Sequence, residues 1–430
     1  MNSITIKFKR GLLSAFVIIL LITIRDCLNY SIPFTVFSIV TIMAAIICNR
    51  EERFFVLFTL LPFSRGLPYS EMILELMIIE ILDSLIIKKN RKVDAKLYLP
   101  IFVVIIVELL DYFKYDINSI EIVYIACYML VASYVIDQRV FKNSAETTIY
   151  GYALGTVYAV VLVIIREVQE HGLDYIFVYN VRFGTNTEER SVTNFNANEL
   201  ALYCIIAICL LLTIRQLTRK KIPFVLAVAV SALGLVSVSR TYLLLLILCW
   251  GIYLIQSKSS IRTAIAIAGG FCAVIIVSYA LIPDFVKWLQ EYFISRSQTS
   301  GGRLSLFVDY FNISFSNIWS AFFGYSSSYP NVLNTTAAHN GFQEIIVCWG
   351  IVGFSACFNW IYLLVRKASQ LCYDKTNNRW LSFAMFLLFI QSIQFFTMYA
   401  YLLVMVMSLV VFEIRGDVKD EARIRTADSF

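Results

Sequence analysis

Charged residues are scarce in this chain, and histidine is almost absent. Asp, Glu, Lys and Arg make up only 15% of the 430 residues, and there are two histidines. About a quarter of the residues of a soluble domain are charged. This shortage, together with 59% hydrophobic residues and a mean hydropathy of +0.73, excludes an ordinary soluble protein. The composition predicts a polytopic membrane protein.

Paired cysteines are also lacking. The ten cysteines form no CxxC pair and show no spacing typical of a metal site. They are scattered, mostly within apolar runs, where cysteine behaves as a small hydrophobic residue. We therefore expect neither a disulfide framework nor a zinc site. A cleavable signal peptide is not expected, because the first apolar run is followed by Arg25 and Asp26 rather than by small residues.

Apolar runs near the length of a membrane-spanning helix, roughly 20 residues, recur along the whole chain. The candidate spans are 11–24, 31–48, 54–63, 71–87, 98–113, 119–136, 147–166, 198–214, 222–238, 241–256, 263–282, 338–365, 380–395 and 399–412. The third is short, so we predict twelve to fourteen transmembrane helices. Helices are expected because backbone groups that face lipid have no water to pair with. The predicted fold is an all-α, polytopic membrane helix bundle.

The basic residues predict the orientation of these spans. With the amino terminus in the cytoplasm, most of the 36 Lys and Arg residues fall in cytoplasmic segments, as the positive-inside rule requires. The net charge of +6 is then a topology signal, and no nucleic-acid partner is expected. We predict a single transmembrane domain, 1–412, with outward loops at 167–197 and 283–337. A cytoplasmic tail covers 413–430, so both termini are cytoplasmic.

Two ionisable residues lie at the predicted outer boundary of the membrane, where such groups are candidates for function, and a third lies in the second outward loop. Arg240 separates two apolar runs, Arg303 follows two glycines in the second outward loop, and His339 lies where that loop turns into a span. The alternative for each arginine is an interfacial anchor or a structural ion pair. The alternative for the histidine is a helix cap or a hydrogen-bonded structural residue.

These residues belong to four short motifs. The motifs are the segment NANELA at 196–201, Ser239 with Arg240, Gly302 with Arg303 and Leu304, and His339 with Asn340 followed by Gly350 and Gly353. In this order and spacing, the region from about 190 to 365 resembles the O-antigen ligase and O-antigen polymerase family of bacterial surface polysaccharide assembly. One departure is Ala197, where the family pattern has proline.

The resemblance implies a fold similar to the C-class membrane glycosyltransferases. It also implies a glycan donor on undecaprenyl pyrophosphate, used at the outer face of the bacterial cytoplasmic membrane. Arg240 and Arg303 would bind the pyrophosphate without a metal or cofactor, because guanidinium groups match phosphate oxygens. His339, at a helix start that disfavours imidazolium, would be the base. The supporting residues would be Asn198, Ser239 and Asn340. Many C-class enzymes hold a metal on an acidic residue of the first outward loop, where this chain has Asp26.

The function expected from this resemblance is polymerisation of lipid-linked repeat units into an O-antigen, capsule or exopolysaccharide. The implied partners are the lipid-linked donor and acceptor, membrane lipid, a flippase and a chain-length regulator. A ligase would instead transfer the glycan to a lipid A core or a protein. Polymerase is preferred because the chain has no added soluble acceptor-binding domain.

Two further classes stay open. A lipid-linked-oligosaccharide flippase or other transporter would use intramembrane carboxylates, and four acidic residues lie on the fourth span: Glu71, Glu75, Glu80 and Asp83. We expect these residues to pair with Arg or Lys in the bundle or to lie near the ends of the span, rather than to conduct protons. A non-catalytic scaffold would fit the fold but would give Arg240, Arg303 and His339 no reason to converge.

Overall fold

The chain folds into an all-α bundle. The computed structural model describes residues 8–64, 69–86, 93–117, 120–172, 197–237, 239–256, 269, 303–335, 338, 340–370, 379–391 and 399–414. Within these ranges every regular element is helical. The predicted all-α fold is therefore confirmed.

The helices follow the apolar runs of the sequence. The first seven are α1 (Lys9–Asp26), α2 (Phe34–Ile47), α3 (Arg50–Leu60), α4 (Tyr69–Ile86), α5 (Ala95–Tyr115), α6 (Ile120–Asp137) and α7 (Ala145–His171). The next are α8 (Ala197–Thr218), α9 (Lys221–Gly234), α10 (Arg240–Gln256), α11 (Arg303–Ser314), α12 (Ile318–Phe322) and α13 (Tyr329–Leu333). The last are α14 (Gly341–Gln370), α15 (Trp380–Ile390) and α16 (Ala400–Val410). Short 3-10 turns, Leu61–Phe63, Leu235–Ser237 and Val411–Glu413, extend α3, α9 and α16.

Each predicted span that lies in the described ranges coincides with one of these helices to within a few residues. The span 263–282 lies outside the described residues except for Gly269. Within the described ranges, four helices are both long and apolar enough to cross a membrane: Ile120–Asp137, Ala145–Arg166, Asn198–Thr218 and Gly341–Gln370. The other apolar helices that the structure describes are shorter, such as Phe34–Ile47 and Ala400–Glu413.

Helix α8 forms the centre of the bundle. It packs against α7, α9, α10, α15 and α16, and every residue from Leu200 to Leu212 is buried. A helix that is apolar on all sides is typical of a bundle interior or of a membrane span. The sequence of α8 is compatible with its central position.

The two ends of the bundle can be defined by α5 and α14, which run antiparallel. At one end Lys367, near the end of α14, binds Asp94, the residue that caps the start of α5. The opposite end, where α5 finishes at Tyr115 and α14 begins at Gly341, is called the distal end below. The segment 303–335, with α11, α12 and α13, packs on α14 at this distal end.

Helix α14 is broken. Gly350 has φ +56° and ψ −162°, so the 30-residue element consists of two helical pieces joined at this residue. This conformation is close to a region that essentially only glycine adopts. The sequence predicted one continuous span here and no break.

Candidate functional site

Five of the predicted site residues lie at or next to the start of a described helix: Asn198, Ser239, Arg240, Arg303 and Asn340. Ser239 donates a hydrogen bond from Oγ to Oδ1 of Asn198, at 2.9 Å, and accepts one from the backbone N–H of Tyr242, at 3.4 Å. The first contact joins the start of α10 to the start of α8. Arg240 is therefore fixed in its backbone position as the first residue of α10, and it is partly exposed.

The neighbours of His339 are held firmly, although His339 itself lies outside the described residues. The backbone N–H of Ala338 donates to the Tyr329 hydroxyl at 2.7 Å. On the other side, Oδ1 of Asn340 accepts hydrogen bonds from the backbone N–H groups of Phe342 and Gln343, both at 3.1 Å. Asn340 thus caps α14, which is a role expected of asparagine at a helix start.

Arg303 begins α11, which lies beside the first turns of α14. Its backbone is described, and its side chain lies outside the described residues. The Gln343 side chain donates to the backbone carbonyl of Phe307, one turn after Arg303. Tyr310 also pairs with Thr335 at 2.8 Å. The predicted convergence of Arg240, Arg303 and His339 around one cavity stays a prediction.

The distal end also contains a second group of buried polar residues, which the sequence did not predict. Glu108 and Asp111 lie on α5, are fully buried, and bind a turn formed by residues 324–328, called the docked turn below. Glu108 Oε1 accepts from the hydroxyls of Ser326, at 2.9 Å, and Ser327, at 2.6 Å. Its Oε2 accepts from the Ser327 backbone N–H and the Trp349 indole.

Asp111 binds the same segment one turn further along α5. Its Oδ1 accepts from the Trp319 indole at 3.2 Å, and its Oδ2 accepts from the backbone N–H of Ser326 at 3.1 Å. Lys114, another turn on, lies 4.2 Å from the centre of the Trp319 ring, within cation–π range. Two carboxylates spaced three residues apart in an apolar helix were the available signal, because such spacing puts both on one face.

The break in α14 accommodates the docked turn. The carbonyls of Val347 and Cys348 accept hydrogen bonds from the backbone N–H groups of Tyr325 and Ser326, at 2.9 and 2.8 Å. A Cβ on Gly324 would lie 2.4 Å from the Cys348 carbonyl oxygen. A Cβ on Gly350 would lie 2.4 Å from the Phe322 backbone.

Charged pairs occupy the end opposite the docked turn. Arg53 binds both Glu80 and, at 2.6 Å, Asp83. The prediction that these two carboxylates of the fourth span pair with a basic residue is confirmed. At the start of α5, the hydrogen bond from Lys367 lowers the pKa of Asp94 below its ordinary value.

The remaining acidic candidates do not form a metal site among the described residues. Asp26 is buried at the end of α1, 3.8 Å from an Arg166 guanidinium nitrogen. Its carboxylate therefore has a cationic neighbour. No group of three or more His, Cys, Asp or Glu side chains in the described part of the chain is arranged to hold a metal ion.

Comparison with known proteins does not assign the chain to a family: no family model matches it, and no characterised protein matches it significantly.

Proposed function

We propose that this protein is a membrane glycosyltransferase that polymerises repeat units carried on undecaprenyl pyrophosphate. The observation that carries the proposal is the arrangement around residue 339. Ala338 is tied to Tyr329, Asn340 caps α14, and α11, which begins with Arg303, packs beside that cap. In this proposal His339 precedes the start of α14, and Arg303 lies at the start of the neighbouring helix α11. Two adjacent helix starts that carry a base and an arginine are suited to transfer of a sugar from a pyrophosphate.

The chemistry assigned to these residues is a single displacement. An acceptor hydroxyl attacks the anomeric carbon of the donor sugar, the bond from that carbon to the pyrophosphate oxygen breaks, and undecaprenyl pyrophosphate leaves with the electron pair. His339 accepts the hydroxyl proton. Arg240 and Arg303 stabilise the negative charge that develops on the leaving group. Asn198 and Ser239 position the start of the Arg240 helix through their 2.9 Å hydrogen bond.

The proposed location is the bacterial cytoplasmic membrane, with the distal end facing outward. Four long apolar helices support a membrane location. The lipid-linked donor fits it, since the isoprenoid stays in the bilayer while the glycan is in water. The positive-inside bias of the sequence supports cytoplasmic termini, and with twelve to fourteen spans it puts Asn198, Ser239 and Asn340 at the outer face.

A transporter is the competing proposal, and the broken helix α14 is the feature that favours it. In carriers, the backbone groups freed at such a break bind the substrate or ion. Here the carbonyls of Val347 and Cys348 accept hydrogen bonds from Tyr325 and Ser326. These protein contacts occupy the groups that a carrier would offer to its cargo, so we prefer the enzyme. A ligase differs only in its acceptor.

Deletion of the gene provides the substrate for the test. If the protein is the polymerase, cells that lack it accumulate single repeat units on undecaprenyl pyrophosphate, and this material can be extracted. Purified protein in lipid should then join the units into chains. We expect His339→Ala, Arg240→Ala and Arg303→Ala each to lower the rate by about a hundredfold or more, as loss of a general base or charge clamp does.

Lys142→Ala is the matched control. Lys142 is an exposed cation near the start of α7, at the end opposite the docked turn, and its loss should leave the rate unchanged. Full activity of the His339 variant would refute the mechanism. Transfer of the glycan to lipid A or protein, with no chain growth, would instead identify a ligase.

A further inference from the structure

Between Arg303 and His339 in the sequence, the docked turn binds both α5 and α14. Its residues Ser326 and Ser327 are buried, and both bind the buried carboxylates of α5. The same two carboxylates accept hydrogen bonds from tryptophan indole N–H groups: Asp111 from Trp319, on α12, and Glu108 from Trp349, on α14. The two residues on α5 therefore connect three separate parts of the distal end.

We propose that Glu108 and Asp111 are positioning residues for the transferase. They hold the docked turn on α5 and thereby fix the segment that begins at Arg303 and ends at His339. The inference rests on the proposed function, because it takes that segment to carry two of the reacting groups. Neither carboxylate touches the substrate in this role.

The connection from the docked turn to the two ends of the segment runs through described contacts. Tyr329 directly follows the turn, and its hydroxyl binds the backbone of Ala338, the residue before His339. On the other side, the Tyr325 hydroxyl lies 3.2 Å from the Ser316 hydroxyl, just after α11, the helix that Arg303 begins. Displacement of the turn would thus shift both ends of the segment.

The hydrogen-bond donors around each carboxylate predict that Asp111→Asn and Glu108→Gln affect the docked turn differently. At Asp111 both oxygens face groups that can only donate, the Trp319 indole and the Ser326 backbone N–H. The side-chain amide introduced by Asp111→Asn would direct its NH2 against one of them. At Glu108 two groups can only donate: the Trp349 indole, which binds Oε2, and the Ser327 backbone N–H, which lies 3.1 Å from Oε2 and 3.2 Å from Oε1. The other partners of Oε1 are two serine hydroxyls, which can also accept. A glutamine whose amide oxygen takes the place of Oε2 keeps both of these donors, and its NH2 can donate to the serine hydroxyls.

The test uses four variants in lipid nanodiscs: Asp111→Asn, Glu108→Gln, Glu108→Ala and Glu80→Gln. Glu80 is the matched control, because it is also a buried carboxylate on a bundle helix but binds Arg53 instead of the docked turn. Hydrogen exchange is followed at the backbone amides of Ser326 and Ser327. Chain growth on extracted lipid-linked repeat units is measured in parallel, per folded molecule, with kcat and KM separated.

We expect amide exchange in the docked turn to rise about tenfold or more in Asp111→Asn and Glu108→Ala. A buried donor without a partner should shift the equilibrium between the bound and the released turn by about that factor. The kcat of both variants should fall at least about tenfold, with KM changing less. Glu108→Gln should stay within about threefold of wild type in both measurements, because its amide can still pair. Glu80→Gln should leave exchange in the docked turn unchanged.

Three outcomes would overturn the inference. The first is unchanged exchange in folded Asp111→Asn and Glu108→Ala. The second is faster exchange with normal kcat, which would show that the docked turn does not position the reacting groups. The third is equal damage from Asp111→Asn and Glu108→Gln, which would contradict the hydrogen-bond geometry. If wild type makes no polymer, the proposed function fails, and the exchange rates still decide whether the carboxylates hold the turn.

Discussion

Substitution of Gly350 by alanine tests the break in α14 directly. The residue has φ +56° and ψ −162°, a conformation that side chains with a Cβ rarely adopt. An added Cβ would also lie 2.4 to 2.5 Å from backbone atoms of Phe322 and Phe323. Backbone atoms cannot rotate away as the end of a flexible side chain can, so the substitution meets two separate penalties.

The magnitude follows from these two effects. Holding a non-glycine residue in such a conformation costs about 1–3 kcal/mol. Forcing an extra methyl group into packed surroundings costs about 1–3 kcal/mol more. We therefore expect Gly350→Ala to lower the free energy of unfolding by about 2–6 kcal/mol. If the helix straightens instead, the carbonyls of Val347 and Cys348 become unavailable to the docked turn.

Gly251 in α10 supplies the matched control. An added Cβ there meets nothing within 4 Å, so Gly251→Ala should be neutral or stabilise the helix by up to about 1 kcal/mol. Unfolding of both variants is measured by titration with denaturing detergent in mixed micelles. Equal stability of the two alanine variants and wild type would refute the reasoning, because the break would then impose neither strain nor a close contact.

Two further predictions concern the opposite end of the bundle and the orientation. Asp94→Asn keeps the cap of α5 but removes the bond to Lys367, so it should cost at most about 1 kcal/mol, less in high salt. The pKa of Asp94 is lower in the folded protein than in the unfolded chain. The difference in the free energy of unfolding between wild type and Asp94→Asn should therefore have its full size above the ordinary carboxyl pKa of about 4, and it should disappear as the pH falls through the lowered pKa. For orientation, both Asn331 and Lys142 are exposed. An impermeant maleimide should label Asn331→Cys in intact cells and Lys142→Cys only after permeabilisation, and the reverse would invert the topology.

The helices could be predicted from the sequence because their signals are local. Apolar runs of suitable length mark the described helices outside the segment 303–335. That segment was predicted to be part of an outward loop, and it contains α11, α12 and α13. A basic partner for Glu80 was also expected, since a carboxylate in an apolar helix requires one, and the structure shows that this partner is Arg53. In each case the information lies within a short stretch of sequence.

The docked turn could not be predicted in this way. Its hydrogen bonds to Glu108 and Asp111 join residues more than 200 positions apart. Within the sequence, the segment around Ser326 reads as an ordinary polar loop, and the two carboxylates read as interruptions of an apolar helix. The direct contact between them depends on how α5 packs against α14, and no local pattern records that packing.

The break at Gly350 and the carboxylates of α5 depend on each other. The break leaves the carbonyls of Val347 and Cys348 for the backbone of the docked turn, but it supplies acceptors for only some of the turn's donors. If α5 were apolar throughout, the buried Ser327 N–H and Trp349 indole would lose their acceptors, at about 1–3 kcal/mol each. The serine hydroxyls and the partly buried Trp319 indole would also lose a hydrogen bond. Glu108 and Asp111 accept all of them. Two buried carboxylates are otherwise costly in a helix bundle, so their presence is explained by the donors they satisfy.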